Sequence, residues 1–267
     1  YDMLGEAALT ADDAARYFKA YQLAIAAIGK CGVGAASGSV HARPGISVKL
    51  SALHPRYEFA KRERVRAELT PKLLQLAQQA KQENIGLTVD AEEADRLELS
   101  LDLIEAVYRD DSLAGWEGFG LAVQAFQTRA LFVVEWLEAL ARGVGRRLQV
   151  RLVKGAYWDT EIKRAQEQGL SGYPCFTRKA NTDVAYLACA RKLLAARDVF
   201  YPMLATHNAH TVAAVRGYAG DTDGYEFQRL HGMGEALYQV VKEDLDVPCR
   251  VYSPVGSHED LLPYLVR

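Results

Sequence analysis

The sequence predicts an α/β fold, a (βα)8 TIM-like barrel with its last helix truncated. Three observations predict it. Eight short apolar runs alternate with amphipathic helical patterns, which is the signature of parallel strands joined by helices. The chain has 267 residues, within the range of one such barrel, and eight evenly spaced units favour closure over an open doubly wound sheet. Each run also ends in a polar residue, and the C-terminal strand ends of a barrel are where ligands and chemistry sit.

In chain order the strands are expected at residues 1–4, 46–50, 86–89, 118–124, 148–153, 201–206, 225–230 and 249–252. Helical patterns fill residues 62–81, 91–107, 128–140 and 183–195. In the second of these, Leu97, Leu101, Ile104 and Val107 recur at helical spacing, with Glu98, Asp102 and Arg109 facing outward. Two stretches break the rhythm. Residues 31–45 are rich in Gly, Ala, Ser and Pro and read as a flexible loop. Residues 168–180 form a long loop after the fifth strand and its short helix, a reasonable binding element. Residues 1–267 are read as one domain. It starts abruptly inside a strand and stops inside a capped helix that begins near Ser257, so a longer parent polypeptide is expected.

Composition narrows the class. Apolar residues make up 49% and charged residues 25%, enough for a sizeable core under a soluble surface. The formal charge of -2, with both signs interspersed, gives no nucleic-acid footprint, and no apolar run is long enough for a membrane span. Cys31, Cys175, Cys189 and Cys249 are widely spaced with no CxxC pair, which reads as free thiols in a reducing compartment. Cys189 is expected in the core and Cys175, beside Pro174, at the surface.

Chemistry concentrates at residues 151–158, where an apolar strand ends in two cations, a glycine and two aromatics: Arg151, Lys154, Gly155, Tyr157 and Trp158. Surface charge is the plain alternative for Arg151 and Lys154. The polar residues at successive strand ends are Glu6, Lys49, Asp90, Gln124, Arg151 with Lys154, Thr206 with His207 and Asn208, Gln228, and Tyr252. Converging on one rim, they define a binding site. Two cations, amides, a threonine and a Trp suit a flat, electron-rich heterocycle, and a flavin fits. The GxG fragments at Gly118 and Gly232 lack the third glycine of a dinucleotide turn, so a nucleotide cofactor is expected to be held in a non-Rossmann manner. His207 and His210 lack an accompanying carboxylate cluster, so no metal is expected; His231, His258 and His54 read as local hydrogen-bonding groups. Lys49 could serve as a Schiff-base lysine, which would make an aldolase barrel, but pairing with Asp90 would keep its amine protonated and poorly nucleophilic. A barrel kept only as a binding scaffold is the non-enzymatic alternative.

Residues 46–57 (ISVKLSALHPRY), 89–93 (VDAEE), 151–158 (RLVKGAYW), 205–210 (ATHNAH) and 261–267 (LLPYLVR) carry a specific likeness. With them the chain resembles, from end to end, the proline dehydrogenase domain of the bacterial proline utilization A family. The resemblance implies a distorted (βα)8 barrel that binds FAD and oxidises L-proline to Δ1-pyrroline-5-carboxylate, with hydride passing from proline C5 to flavin N5 and the electrons then to a quinone. It places Arg151 near N5, and Gln124, Lys154, Gly155, Ala156 and Trp158 around the ring and phosphates. Thr177, Arg178 and Lys179 would reach the adenosine end or its phosphates, and Thr206, His207, Asn208, Gln228 and Leu230 complete the cofactor set. Lys49, Asp90, Tyr157, Leu230, Tyr252, Tyr264 and Arg267 would line the substrate pocket; Glu6 would pair with Arg267, and Tyr264 would crowd hydroxyproline. Arg151, Lys49, Asp90 and Tyr157 are the implied catalytic group. The family grips the substrate carboxylate with an Arg-Arg pair, of which this chain carries only Arg267. The implied partners are L-proline, a quinone and a pyrroline-5-carboxylate dehydrogenase domain of the same polypeptide, and the expected location is cytoplasmic, peripheral to the inner membrane at most.

Overall fold

The structure is a computed structural model that describes residues 1–3, 7–31, 38–220 and 223–256. Among these residues the chain runs β1 (Asp2–Met3), α1 (Ala11–Cys31), β2 (Gly45–Val48), α2 (Leu50–Leu53), α3 (Arg62–Gln82), β3 (Gly86–Val89), α4 (Leu97–Tyr108) and β4 (Phe119–Gln124). It continues with α5 (Ala130–Val144), β5 (Leu148–Val153), α6 (Trp158–Glu167), α7 (Lys179–Ala195), β6 (Phe200–Ala205), α8 (Ala209–Ala219), β7 (Glu226–Leu230), α9 (Glu235–Leu245), β8 (Cys249–Tyr252) and β9 (Pro254–Val255). Strands β2 to β7 are each followed by at least one helix, the α/β succession that the sequence predicts.

The chain divides into two compact units, Tyr1–Leu121 with Pro254–Arg267, and Ala122–Ser253. In the first, β9, β1, β2, β3 and the beginning of β4 pair in that order, all parallel. Its core is built from Ile46, Val48, Leu87, Val89 and Phe119 on the strands and from Tyr21, Ile25, Leu69, Leu73, Leu76 and Leu103 on the helices, all with almost no exposure. Parallel strands covered by helices read as continuous apolar runs, and β3 is buried at all four positions. Ahead of α1, Thr10 and Asp13 cap each other: Asp13 N–H donates to Thr10 Oγ1 (3.1 Å) and Thr10 N–H to Asp13 Oδ2 (3.0 Å).

In the second unit, the remainder of β4 is followed by β5, β6, β7 and β8 in order, and the β5–β6, β6–β7 and β7–β8 pairs are parallel. Val150, Leu152, Leu204 and Phe227 fill its interior against Val134, Leu137, Cys189 and Leu193 from the helices. Helix α5 stops at Gly145, whose φ of 70° lets its N–H reach back to Ala141 O. Helix α8 starts on Asn208, whose side chain accepts from Thr211 N–H at 2.9 Å.

Several expectations are corrected. Helix α1 lies where no helical pattern is marked, and β9 is an added short strand. The strand expected at 46–50 ends at Val48, because Leu50 opens α2 and Lys49 stands at the boundary. A 3-10 turn over Ala94–Arg96 delays α4, so its buried stripe is Leu99, Leu103, Ile104, Val107 and Tyr108. Leu97 and Leu101 are only half-buried. Of the loop at 31–45, Cys31 closes α1, Val40–Ala42 is a 3-10 turn and Gly45 begins β2, while residues 32–37 lie outside the described residues. The loop at 168–180 ends earlier, since α7 begins at Lys179. Cys175 is not accessible: its thiol is 2% exposed in a bridge with Gln127, and burial pushes its pKa up. The final helix lies outside the described residues, and among those described no helix is long and apolar enough to cross a membrane.

Gly45 and Gly86 face each other in register on β2 and β3, and a Cβ on Gly45 would stand 3.0 Å from the Gly86 carbonyl oxygen. Gly45→Val is therefore expected to wedge the two strands apart and to lower unfolding free energy by about 1–3 kcal/mol. Urea denaturation checks this, and an unchanged midpoint would show that the strands have slack.

Candidate functional site

The first unit gathers charge at the ends of β1, β2 and β3. Lys49 follows β2 directly, with its Nζ 2.6 Å from Asp2 Oδ1 and 2.9 Å from Asp90 Oδ2. All three side chains are nearly inaccessible, so the ammonium is desolvated but doubly compensated. Lys49 N–H donates to Tyr21 Oη (3.2 Å), and burial raises the phenol well above its ordinary value, so it stays protonated. Two residues beyond Asp90, Glu92 accepts from Ser51 N–H at 3.0 Å and meets Arg96 at 3.3 Å. Burial outweighs these contacts and lifts the Glu92 carboxyl to about 7.

The second unit carries the larger set. Arg151, from β5, is 8% exposed, which rules out its reading as surface charge. Its Nε–H donates to Gln228 Oε1 (2.9 Å) on β7, and its guanidinium lies 4.6 Å over the Tyr252 ring of β8. Gln228 Nε2–H donates in turn to Glu226 Oε1 (2.7 Å), and the Arg250 fork holds both Glu226 oxygens at 2.7 and 2.9 Å. The turn after β5 is shaped by Gly155, at φ 140°, where a Cβ would stand 2.4 Å from the Phe126 ring, and by Tyr157, left-handed at φ 68°. Ala156 N–H donates to Gln124 Oε1 (3.0 Å), tying β4 to that turn. Lys154 pairs with Asp183 of α7, which also takes Lys179 Nζ at 2.7 Å; the two lysines hold the Asp183 carboxyl below its usual range.

Trp158 opens α6 with its ring 42% exposed and its indole N–H on Phe176 O (2.8 Å). Thr177 and Arg178 lead into α7, where Arg178 is the capping residue. Thr206 Oγ1 accepts from Asn208 N–H (3.1 Å), and Thr206 O accepts from Tyr238 Oη (2.7 Å). His207 Nε2 accepts from the backbone N–H of Leu230 at 3.0 Å, and burial, helped by nearby Arg229, lowers its pKa, so the ring is neutral. Buried His54 accepts from Arg56 N–H and meets Glu68, the turn role expected of it. Among the described residues no group of three or more His, Cys, Asp or Glu side chains is placed to hold a metal. Glu6, Tyr264, Arg267 and His258 lie outside the described residues.

The structure thus pairs Lys49 with Asp90, as their chemistry suggests, and brings Arg151 to Gln228 and Tyr252. It also supplies groups that sequence reasoning passed over: Asp2, Tyr21 and Glu92 in the first unit, and Glu226, Arg250 and Asp183 in the second. One signal for Glu226 was available. Glu226, Gln228 and Leu230 alternate with Phe227 and Arg229 along β7, so the polar pair shares one strand face.

The proline dehydrogenase family model matches residues 1–267, and the chain belongs to that family. It is 57% identical to the bifunctional protein PutA of Klebsiella aerogenes and 54% identical to that of Rhizobium meliloti, with 100% of this chain aligned in each case. It spans only 21% and 22% of the length of those relatives. A solved structure of a Bradyrhizobium japonicum proline utilization A variant superposes over 100% of the chain and 27% of its own, with a TM-score of 0.95 at 63% identity. A Bdellovibrio bacteriovorus proline utilization A, described as inactivated by N-propargylglycine, superposes with a TM-score of 0.92 at 28% identity over 99% of this chain and 29% of its own. These likenesses bear out the α/β barrel class expected from the sequence.

Two outcomes follow from the first unit. Lys49→Met leaves Asp2 and Asp90 buried without their shared cation, at an expected cost of about 3–5 kcal/mol. Chemical denaturation measures it, and a loss below about 1 kcal/mol would show that the pair is well hydrated. For Glu92, the folded pKa lies above the ordinary 4.5, so the folded state binds the proton more tightly. Its contribution is present at low pH and is lost as pH rises through the window from 4.5 to about 7. Relative to Glu92→Gln, the wild type should lose stability across that window; parallel urea midpoints would contradict this.

Proposed function

We propose that this chain carries the FAD-dependent oxidation of L-proline to Δ1-pyrroline-5-carboxylate, the first step of proline catabolism. The observation that carries the reading, beside family membership, is the buried Arg151 guanidinium held at the end of β5 by Gln228 and Tyr252. The donor chemistry of the second unit fits a flavin nucleotide. Arg151, Lys154 and Lys179 are cationic, Gln124 and Gln228 are amides, and Trp158 presents a half-exposed ring. Electron-rich ring edges and phosphates are what such a set would hold. When bound, FAD supplies the two-electron acceptor for the hydride leaving proline C5.

The chain's own residues do the rest. Arg151 keeps a fixed positive charge where negative charge would accumulate, and pays no reorganisation because its orientation is already set. Lys154 and Lys179, anchored on Asp183, would take the phosphates together with Thr177 and Arg178. Gln124, Gly155 and Ala156 shape the backbone turn at the cofactor, and Thr206, His207, Asn208 and the Leu230 backbone contribute neutral polar groups. Lys49, Asp90, Tyr157, Leu230, Tyr252, Glu6, Tyr264 and Arg267 are proposed for the substrate from the likeness alone. Loss of hydride from C5 needs the proline nitrogen as a neutral amine, whose lone pair forms the C=N bond as the C5–H bond breaks; the resulting iminium then loses its N–H proton, which balances two electrons and two protons. Lys49 Nζ keeps its own proton between Asp2 and Asp90, which argues against the aldolase alternative. A quinone as the next electron acceptor and a pyrroline-5-carboxylate dehydrogenase domain in the same polypeptide belong to the same reading, as relatives named bifunctional would suggest.

Anaerobic addition of proline to the FAD-loaded protein tests the reading: the flavin's visible absorbance should bleach, and Arg151→Met should lower kcat/KM by about 10²-fold or more. Flavin that proline cannot bleach would leave only a binding scaffold, and borohydride trapping of Lys49 would restore the aldolase.

A further inference from the structure

Gln228 has a side chain that could sit either way round, since its two ends have nearly the same shape. The surroundings permit one. Its Nε2 faces Glu226 Oε1 at 2.7 Å and Met203 Sδ at 3.1 Å, both acceptors. Its Oε1 faces Arg151 Nε at 2.9 Å, a donor. Turned over, the carbonyl would oppose a carboxylate and a sulfur, while the NH2 would oppose a guanidinium N–H, so every contact would be lost. Glu226 is what sets the choice. It is buried, and the Arg250 fork grips its two oxygens at 2.7 and 2.9 Å, with Tyr201 Oη donating to its second oxygen at 3.3 Å. Glu226 and Gln228 lie two residues apart on β7, as Arg250 and Tyr252 do on β8, and Gln228 pairs with Arg250 in register. The register therefore sets the amide level with Arg250, the carboxylate two residues earlier on β7 and the ring two residues later on β8.

We propose that Glu226 is a positioning residue for the oxidation of proline, acting through the Gln228 amide to hold the Arg151 guanidinium in one orientation. The inference rests on the function proposed above. Glu226 itself touches no reacting atom; it converts the Arg250 ion pair into a directional acceptor that fixes Gln228, and Gln228 then fixes Arg151. Neutralising Glu226 leaves one acceptor oxygen for the donors of both Arg250 and Gln228, and the Gln228 amide can then turn.

The test is a double-mutant cycle in the full chain with Glu226→Gln and Gln228→Leu, read as proline kcat/KM, FAD dissociation constant and melting temperature. Glu226→Gln alone is expected to lower kcat/KM about tenfold or more and to weaken FAD binding. In the Gln228→Leu background it should change neither by more than about twofold, because the route to Arg151 is already cut. Wild-type kinetics and FAD affinity in Glu226→Gln, or the full loss repeated on top of Gln228→Leu, would overturn the proposal. Glu226→Asp keeps the charge that folding needs but withdraws the carboxylate by one methylene, and should reproduce the losses with a melting temperature nearer the wild type. Side-chain amide NMR of the ligand-free chain separates this proposal from the functional reading. The Gln228 NH2 protons, assigned by their absence in Gln228→Leu, should exchange slowly in the wild type and rapidly in Glu226→Gln. Equal exchange would overturn the role of Glu226 even in an active enzyme, whereas a wild type that oxidises no proline would overturn the functional reading instead.

Discussion

The constraint on which the structure turns is the cost of burying charge at the ends of parallel strands. An ionised side chain removed from water must find compensating charge and hydrogen bonds within reach, or it neutralises. The first unit meets this with one cation between two carboxylates, Lys49 with Asp2 and Asp90. The second meets it with a chain of alternating acceptors and donors: Glu226 with Arg250, Gln228 with Glu226, and Arg151 with Gln228. In each unit the strand register, set by the apolar core, decides which charges meet.

This compensation also determines what each charged group can do. A lysine whose ammonium donates to two carboxylates is a poor nucleophile and a poor base, so Lys49 serves as a fixed positive point. An arginine tied at Nε and stacked on a tyrosine ring has already lost the freedom that a ligand would otherwise have to remove. His207, accepting from the Leu230 backbone, is kept neutral and adds polarity without charge. Positive charge in the second unit is thereby confined to a few set places, as selective recognition of an electron-rich ligand requires.

Much of this was legible in the sequence. The β3, β5 and β8 strands fall at the residues that the apolar runs mark; β3 and β5 do so as buried parallel strands, whereas β8 is only half-buried. The polar residues at strand ends pointed to Lys49, Asp90, Gln124, Arg151 and Gln228, and the structure ties each into a strand-end network. What escaped depends on distance along the chain. Asp2 and Lys49 are 47 residues apart and Arg151 and Gln228 are 77, so no local pattern could pair them. Glu226 was easy to miss because a charged residue early in a short strand looks like an exposed one; its pairing with Met203 of β6 and the grip of Arg250 show that it is enclosed. Cys175 misled because its neighbour Pro174 signals a surface loop, whereas the segment folds back onto Phe126 through the Phe176 N–H.

The central claim is that the charged groups are arranged before any ligand arrives. The most direct measurement is a pair of high-resolution crystal structures of this chain, one without FAD and one with it bound. The contacts linking Arg250, Glu226, Gln228 and Arg151 are expected to persist, with those side chains shifting by less than about 0.5 Å between the two. An Arg151 that leaves Gln228 and takes up a new orientation only when FAD is present would contradict it.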